Sequence, residues 1–370
     1  MSRSILITGG AGFIGSRLIR ALHAADPASH IAVLDNLHPQ VHGLGASPPV
    51  FPASVVFTRG DVADAAVVHE VVRAARPDLV YHLAAETGTG QSFDEPSRYA
   101  RVNVLGTTNL VEALRTTGTV RRVVLAGSRA VYGEGAYRDV SGAEYVGLPR
   151  TADCMGKGDY SVPLPSQARL PVVAAPSHSG LPPAPASVYA STKLMQEYLL
   201  AQSGEGASWC ATVLRFQNVY GPGQSLRNPY TGVLSIFARQ LLAGQDLAIF
   251  EDGEIARDFV YVDDVVDALV RAGERPVPHG TVIDIGTGSA ATILHVAKTL
   301  MRALDRPQDA FRVTGEFRTG DIRHACANID KAGQLLGWAP QVNIEEGLLR
   351  LAAWARQEYG SVAQEGARHG

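Results

Sequence analysis

Two periods of apolar residues alternate along this chain. Ser4 to Thr8 is a short β-rich run, Gly9 to Gly12 interrupts it, and Phe13 to Ala25 carries apolar residues at helical spacing. Strand-like runs recur at Ile31 to Leu34, Val55 to Phe57, Leu79 to Leu83, Val123 to Ala126 and Thr212 to Phe216. Between them lie helix-like stretches at Val67 to Ala75, Val102 to Thr116 and Val188 to Ala201. Apolar strands alternating with helices predict an α/β fold, a doubly wound parallel sheet covered on both faces. Further on, Val219 to Asp252 and Thr287 to Leu351 mix helix signals with loops, while Phe259 to Ala272 and Val282 to Ile285 read as elements returning to the main sheet. The expected organisation is a sheet domain from residues 1–217 and 256–286 and a smaller, interleaved C-terminal domain from 218–255 and 287–356, with a cleft where they meet.

Two stretches break the pattern. Glu134 to Ala186 is rich in Gly, Pro and Ser and poor in periodicity, which predicts a long loop or small excursion within the first domain, a functional lid or a partly disordered segment. Residues 357–370 read as a frayed tail. Composition narrows the class: 370 residues, 46% hydrophobic, with mean hydropathy +0.02, place the chain among globular proteins. Apolar runs fall short of the ~20 residues of a membrane span, and the first residues show no signal-peptide pattern, so a cytoplasmic protein is expected. A net charge of −3 with no dominant basic cluster gives nucleic acid or anionic lipid little to pull on. Cys154, Cys210 and Cys326 are too scattered for a disulfide framework and lack metal-ligand spacing, so no metal is expected.

The candidate chemistry begins at Gly9-Gly10-Ala11-Gly12-Phe13-Ile14-Gly15, which fits both GxxGxxG and GxGxxG after a strand and at the start of a helix. Glycines there let the backbone approach a pyrophosphate, and the helix N-terminus offers free N–H groups and a partial positive charge. The next strand ends in Asp35, where a carboxylate can accept hydrogen bonds from an adenosine ribose and would repel a 2′-phosphate. The combination predicts a Rossmann dinucleotide site that takes NAD in preference to NADP; the simpler alternative is a tight turn with Asp35 as a strand-end cap.

A second constellation is Tyr189-Ala190-Ser191-Thr192-Lys193, whose i, i+4 spacing puts phenol and amine on one helix face. Making the phenol a base near neutral pH needs its pKa lowered by about 3 units, roughly 4 kcal/mol, which a neighbouring ammonium and a nicotinamide cation are expected to supply. Ser128 stands at the end of another strand, where ligand-contacting groups collect in open sheets.

With these motifs the chain resembles the extended short-chain dehydrogenase/reductases that act on nucleotide sugars. The resemblance covers nearly the whole chain: the glycine run, Asp35, Gly60-Asp61, His82-Leu83-Ala84-Ala85, Asn103, Ser128, Tyr189/Lys193, Leu214 to Gly223, Arg257-Asp258-Phe259 and Gly320-Asp321. It implies Ser128, Tyr189 and Lys193 as catalytic residues. It implies a cofactor site of Gly9, Gly12, Phe13, Ile14, Gly15, Asp35, Asn36, Asp61 on the adenine, Val62, Leu83, Ala84 and Ala85 along the pyrophosphate, Asn103, Tyr189, Lys193 on the nicotinamide ribose, and Phe216. The implied substrate site is Thr87, Ser128, Arg129, Tyr189 and Asn218, with Arg257 and Arg318 gripping the diphosphate.

Within that family, dehydratases and decarboxylases carry acidic residues just after the position of Ser128, where this chain has Arg129 and Ala130. The remaining parts suffice for 4-epimerisation: Tyr189 takes the C4 hydroxyl proton, NAD takes the C4 hydride, the 4-keto sugar turns, and the hydride returns to its other face. Asn228 to Phe237 and Glu251-Asp252-Gly253 most resemble the dTDP-L-rhamnose 4-epimerase branch, although the paired cysteines often found before the tyrosine there are missing, since the insertion holds Cys154 alone. A 4-ketoreductase using external NAD(P)H and a non-catalytic NAD-binding sensor are the competing readings. A homodimer through the helices at Val102 to Thr116 and Val188 to Ala201 is implied by the resemblance, and the expected partner is a nucleotide-diphosphate sugar.

Overall fold

A computed structural model describes residues 3–226, 228 and 232–368, with side chains described to residue 360. Seven parallel strands form the main sheet: β1 (Ser4–Thr8), β2 (His30–Asp35), β3 (Val55–Arg59), β4 (Leu79–His82), β5 (Arg122–Ser128), β9 (Cys210–Phe216) and β14 (Thr281–Ile285), in the order β14-β9-β5-β4-β1-β2-β3. Alternation along each strand divides the core between two faces. Leu6, Leu34, Val80, Val123, Leu125 and Val213 meet the helices Ala65–Ala75, Gly106–Thr117 and Val188–Gly204 through Val68, Val72, Leu110, Leu114 and Leu200. Ile5, Ile7, Val33, Tyr81, Val124, Leu214 and Ile283 meet the helices Phe13–Ala25 and Val262–Glu274 through Leu18, Ile19, Val265 and Leu269. The doubly wound sheet is thus observed.

A second apolar core gathers residues far apart in sequence: Tyr220, Leu234, Phe237, Leu241, Phe259, Tyr261, Val296, Leu300, Leu348 and Leu351. Its short strands pair as β10 (Asn218–Tyr220) with β13 (Phe259–Tyr261), β11 (Leu247–Ile249) with β16 (Phe311–Val313), and β12 (Ala256–Arg257) with β15 (Ala291–Thr292). The expectation that Phe259 to Ala272 and Val282 to Ile285 both return to the main sheet holds for the second as β14. The first instead pairs with β10 and continues as a helix packed on the sheet.

The insertion is neither a bare loop nor disordered. It forms an antiparallel sheet of β6 (Ala136–Asp139), β7 (Glu144–Val146) and β8 (Val172–Ala175). Asp139 sets the hairpin, its Oδ1 accepting from the N–H groups of Ser141 (2.8 Å) and Ala143 (3.1 Å). The last helix runs from Ile344 to Arg368. Residues 369 and 370, and residues 229–231 of the rhamnose-branch segment, lie outside the described residues.

Candidate active site

The glycine turn is built by close packing of backbone on backbone. Gly9 has φ +72°, and a Cβ there would lie 2.7 Å from Ala84 N and 2.9 Å from Leu83 C. A Cβ at Gly15 would lie 2.4 Å from Gly9 O. The turn therefore lies directly against the loop after β4. Gly12 caps the helix Phe13–Ala25 without a side-chain acceptor, which leaves the amino-terminal N–H groups for a ligand.

Around this turn runs a groove lined by Gly9, Gly12, Asp35, Asn36, Gly60, Val62, Leu83, Ala84, Ala85 and Thr87. Its donors and bare backbone fit an extended pyrophosphate flanked by two nucleosides. Asp35 does more than line it: Oδ2 accepts from Ala11 N (3.0 Å) in the turn and Oδ1 from Leu37 N (2.8 Å). The capping role and the groove position coincide in one carboxylate.

Two residues of the implied cofactor set act from outside the groove. Asp61 sits between Gly60 and Val62 but turns its Oδ1 to Ala63 N (2.8 Å). Asn103 is fully buried, accepting from Glu86 N (2.7 Å) and donating to Glu86 O (3.1 Å) and Thr192 Oγ1 (3.0 Å). With its amide so committed, Asn103 reaches the groove only through the loop it holds.

The groove opens into a wider cleft lined by Phe13, Ile14, Gly15, Thr87, Ser128, Arg129, Tyr189, Lys193, Phe216, Gln217 and Asn218. Register explains the convergence, since β5 and β9 end level, Ser128 opposite Phe216, and the next residues of both strands enter the cleft. Tyr189 and Lys193 arrive on the helix Val188–Gly204, which starts at a Ser187 cap whose hydroxyl accepts from Ala190 N (3.1 Å).

In the chain by itself, burial dominates at Tyr189 and pushes its phenol above the ordinary value, while the Ser128 hydroxyl and the Arg129 guanidinium favour the phenolate. Lys193, 3% exposed, directs Nζ to Ala126 O and Gln196 Oε1, both at 2.6 Å, and burial pulls it down to about 8. In the chain by itself the cation favouring the phenolate is Arg129, because the lysine's charge is held by carbonyl oxygens. Arg129 has no ion-pair partner among the described residues, and its own charge is disfavoured by burial and by Arg257.

The two arginines expected at a diphosphate are placed differently. Arg257 is 5% exposed and pairs with Asp321, and Arg318 is exposed and stacks its guanidinium over Phe250 at 4.9 Å. Neither lines the cleft, whereas Arg129 does. Sequence reasoning missed Gln217, 5% exposed, whose Oε1 is buried without a partner next to Asn218 Oδ1 in the same condition. The strand-end rule that found Ser128 could have flagged it. No cluster of His, Cys, Asp or Glu among the described residues could hold a metal.

The chain matches the model of the NAD dependent epimerase/dehydratase family over residues 5–151 and 166–286. It is similar to a dTDP-L-rhamnose 4-epimerase of Burkholderia thailandensis, 39% identical over 361 residues, 96% of each chain. Among solved structures it is similar to a UDP-glucose 4-epimerase of Thermotoga maritima with UDP-glucose (TM-score 0.78, 29% identity, 96% of this chain and 99% of that one). A UDP-glucose 4-epimerase of Thermus thermophilus in complex with NAD is comparable (TM-score 0.74, 29% identity, 95% and 98%). On its sheet, its glycine turn and these matches, the chain belongs to the NAD dependent epimerase/dehydratase family.

Proposed function

We propose that this protein is an NAD-dependent 4-epimerase of nucleotide-diphosphate sugars, and that its substrate is a dTDP-6-deoxyhexose of the dTDP-L-rhamnose type. The observation that carries the reading is one cleft wall holding Ser128, Tyr189 and Lys193 beside the glycine groove, with Arg129 and Ala130 where an added acid would be needed for dehydration. The similarity to a dTDP-L-rhamnose 4-epimerase supports the sugar.

Gly9, Gly12, the amino end of the helix Phe13–Ala25, Asp35 and the Leu83–Ala85 loop would hold the cofactor. When bound, NAD supplies a reversible two-electron acceptor and a positive ring. Tyr189 is the group to take the C4 hydroxyl proton and return it. Ser128 accepts the helper role, its hydroxyl favouring the phenolate and available to the same substrate oxygen. Arg129 supplies positive charge on the cleft side of the phenol. Gln217 and Asn218 offer amides to sugar hydroxyls from the opposite strand.

The same proposal includes the two-part division of the chain, a cytoplasmic setting and a homodimer. Exposed Leu105, Met195 and Tyr198, on the neighbouring segments 100–117 and 188–204, support a partner surface there, and the free cysteines suit a reducing compartment. The test is a panel of sugar nucleotides followed by NMR at C4, with dTDP-L-rhamnose and UDP-glucose as the first pair. Exchange between C4 epimers without net NADH is expected. Net NADH oxidation with a 4-keto sugar, and no epimer exchange, would identify the ketoreductase instead.

A further inference from the structure

We propose that Gln196 is a positioning residue for Lys193, a one-way amide clamp that accepts from the ammonium and leaves one of its N–H groups for the cleft. The inference rests on Lys193 belonging to the catalytic cleft proposed above. Gln196 lies one turn beyond Lys193 on the same helix and has no exposed surface. Its orientation is dictated from behind. Thr107 Oγ1 donates its single hydrogen to Asn103 O at 2.6 Å, so its oxygen can only accept from Gln196 Nε2 at 2.8 Å. The amide carbonyl is thereby turned to Lys193 Nζ at 2.6 Å.

Thr107 is in turn held by His82, whose Nε2 lies 2.9 Å from it and whose Nδ1 lies 2.7 Å from Thr8 Oγ1. This buried chain therefore runs from the lysine to the residue before Gly9, joining the catalytic helix to the cofactor turn. With Ala126 O as the second acceptor at 2.6 Å, two of the three ammonium hydrogens are fixed. The remaining groups around the amine are accounted for. Glu197 on the same helix favours the ammonium and is itself paired with Arg215 of β9. Burial holds His82 of β4 neutral, and Tyr189, Ser128 and Arg129 face the cleft. Removing the Gln196 carbonyl leaves Ala126 O as the remaining hydrogen-bond acceptor given for the ammonium among the described residues.

The chain has four lysines, Lys157, Lys193, Lys298 and Lys331, so competitive acetic anhydride labelling across pH, read by mass spectrometry on the NAD-loaded enzyme, titrates Lys193 against internal standards. Loss of one hydrogen bond to a charged group should lower that titration by about one pH unit in Gln196→Met, and Gln196→Glu should raise it. Thr107→Val, which removes the 2.8 Å acceptor behind the amide and leaves it the 3.3 Å contact to His82 Nε2 without touching Lys193, should move it in the direction of Gln196→Met by a smaller step and stands in if that variant does not fold. The alkaline limb of kcat should follow the labelling, with KM for the sugar nucleotide little changed. An unmoved Lys193 titration in Gln196→Met or Thr107→Val, together with an unmoved one in Gln196→Glu, overturns the proposal. Shifted labelling in an enzyme that exchanges no epimers would leave the clamp standing and sink the epimerase reading.

Discussion

Replacing Arg150 with Met should unfasten the insertion from the second core and cost about 3 kcal/mol of stability. Arg150 projects from the insertion with its side chain 2% exposed, donating Nε to Glu134 (3.0 Å) and Nη1 to both oxygens of Glu251 (2.9 and 2.8 Å). Its Nη2 donates to the Asp321 backbone oxygen (2.8 Å), and Asp321 in turn pairs with Arg257. Removing one partner of a buried ion pair costs about 3–5 kcal/mol, since the other charge is left without compensation. The lower end applies here because Glu251 retains Arg323 at 2.9 Å. Glu134 is the group left exposed to the penalty: burial already pushes its carboxyl up, and Arg150 is its one ion-pair partner among the described residues. Urea unfolding of Arg150→Met, Glu134→Gln and the double variant measures this. Glu134→Gln should destabilise the wild type but restore part of the loss in the Arg150→Met background, a coupling of at least about 1 kcal/mol. A loss under about 1 kcal/mol in Arg150→Met, or the same cost for Glu134→Gln in both backgrounds, refutes the reasoning.

Three further outcomes are expected. Tyr189→Phe should abolish epimer exchange while retaining NAD and sugar-nucleotide binding by calorimetry; an active variant would remove the phenol from its assigned role. Gly9→Ala forces a Cβ to within 2.7 Å of Ala84 N at φ +72°, so NAD affinity should fall at least about tenfold in a titration of the cofactor-stripped protein, and unchanged affinity would show that the turn yields. Asp284, which accepts from Tyr132 Oη at 2.7 Å, is raised by burial from 3.8 to about 6. A carboxyl raised in the folded state loses stability as pH climbs from about 4 to about 6 and none beyond, about 3 kcal/mol in all. Asp284→Asn removes that slope, so its stability relative to the wild type should increase over this interval in urea unfolding; parallel pH curves would contradict the burial argument.

Most of the sheet was readable because parallel strands buried on both faces must be apolar, and the spacing of the glycine turn follows from how closely two backbones approach. Gly9, Gly12, Ser128, Tyr189 and Lys193 lie at strand ends and on one helix face, positions that local pattern encodes. The sequence determined this much alone, since each choice depends on residues within a few positions. Tertiary structure decided what depends on partners far along the chain. Phe259–Tyr261 pairs with Asn218–Tyr220 because the second core needs both, although its pattern equally suits a strand of the main sheet. Arg150 has no periodic signal, and its burial follows from carboxylates 16 and 101 residues away. In the chain by itself burial pushes the Tyr189 phenol up against the Ser128 hydroxyl and Arg129, while the Lys193 ammonium one turn along is turned toward Ala126 and Gln196. Spacing along a helix fixes which side chains are neighbours; charge and burial depend on everything else packed around them, which no local pattern records.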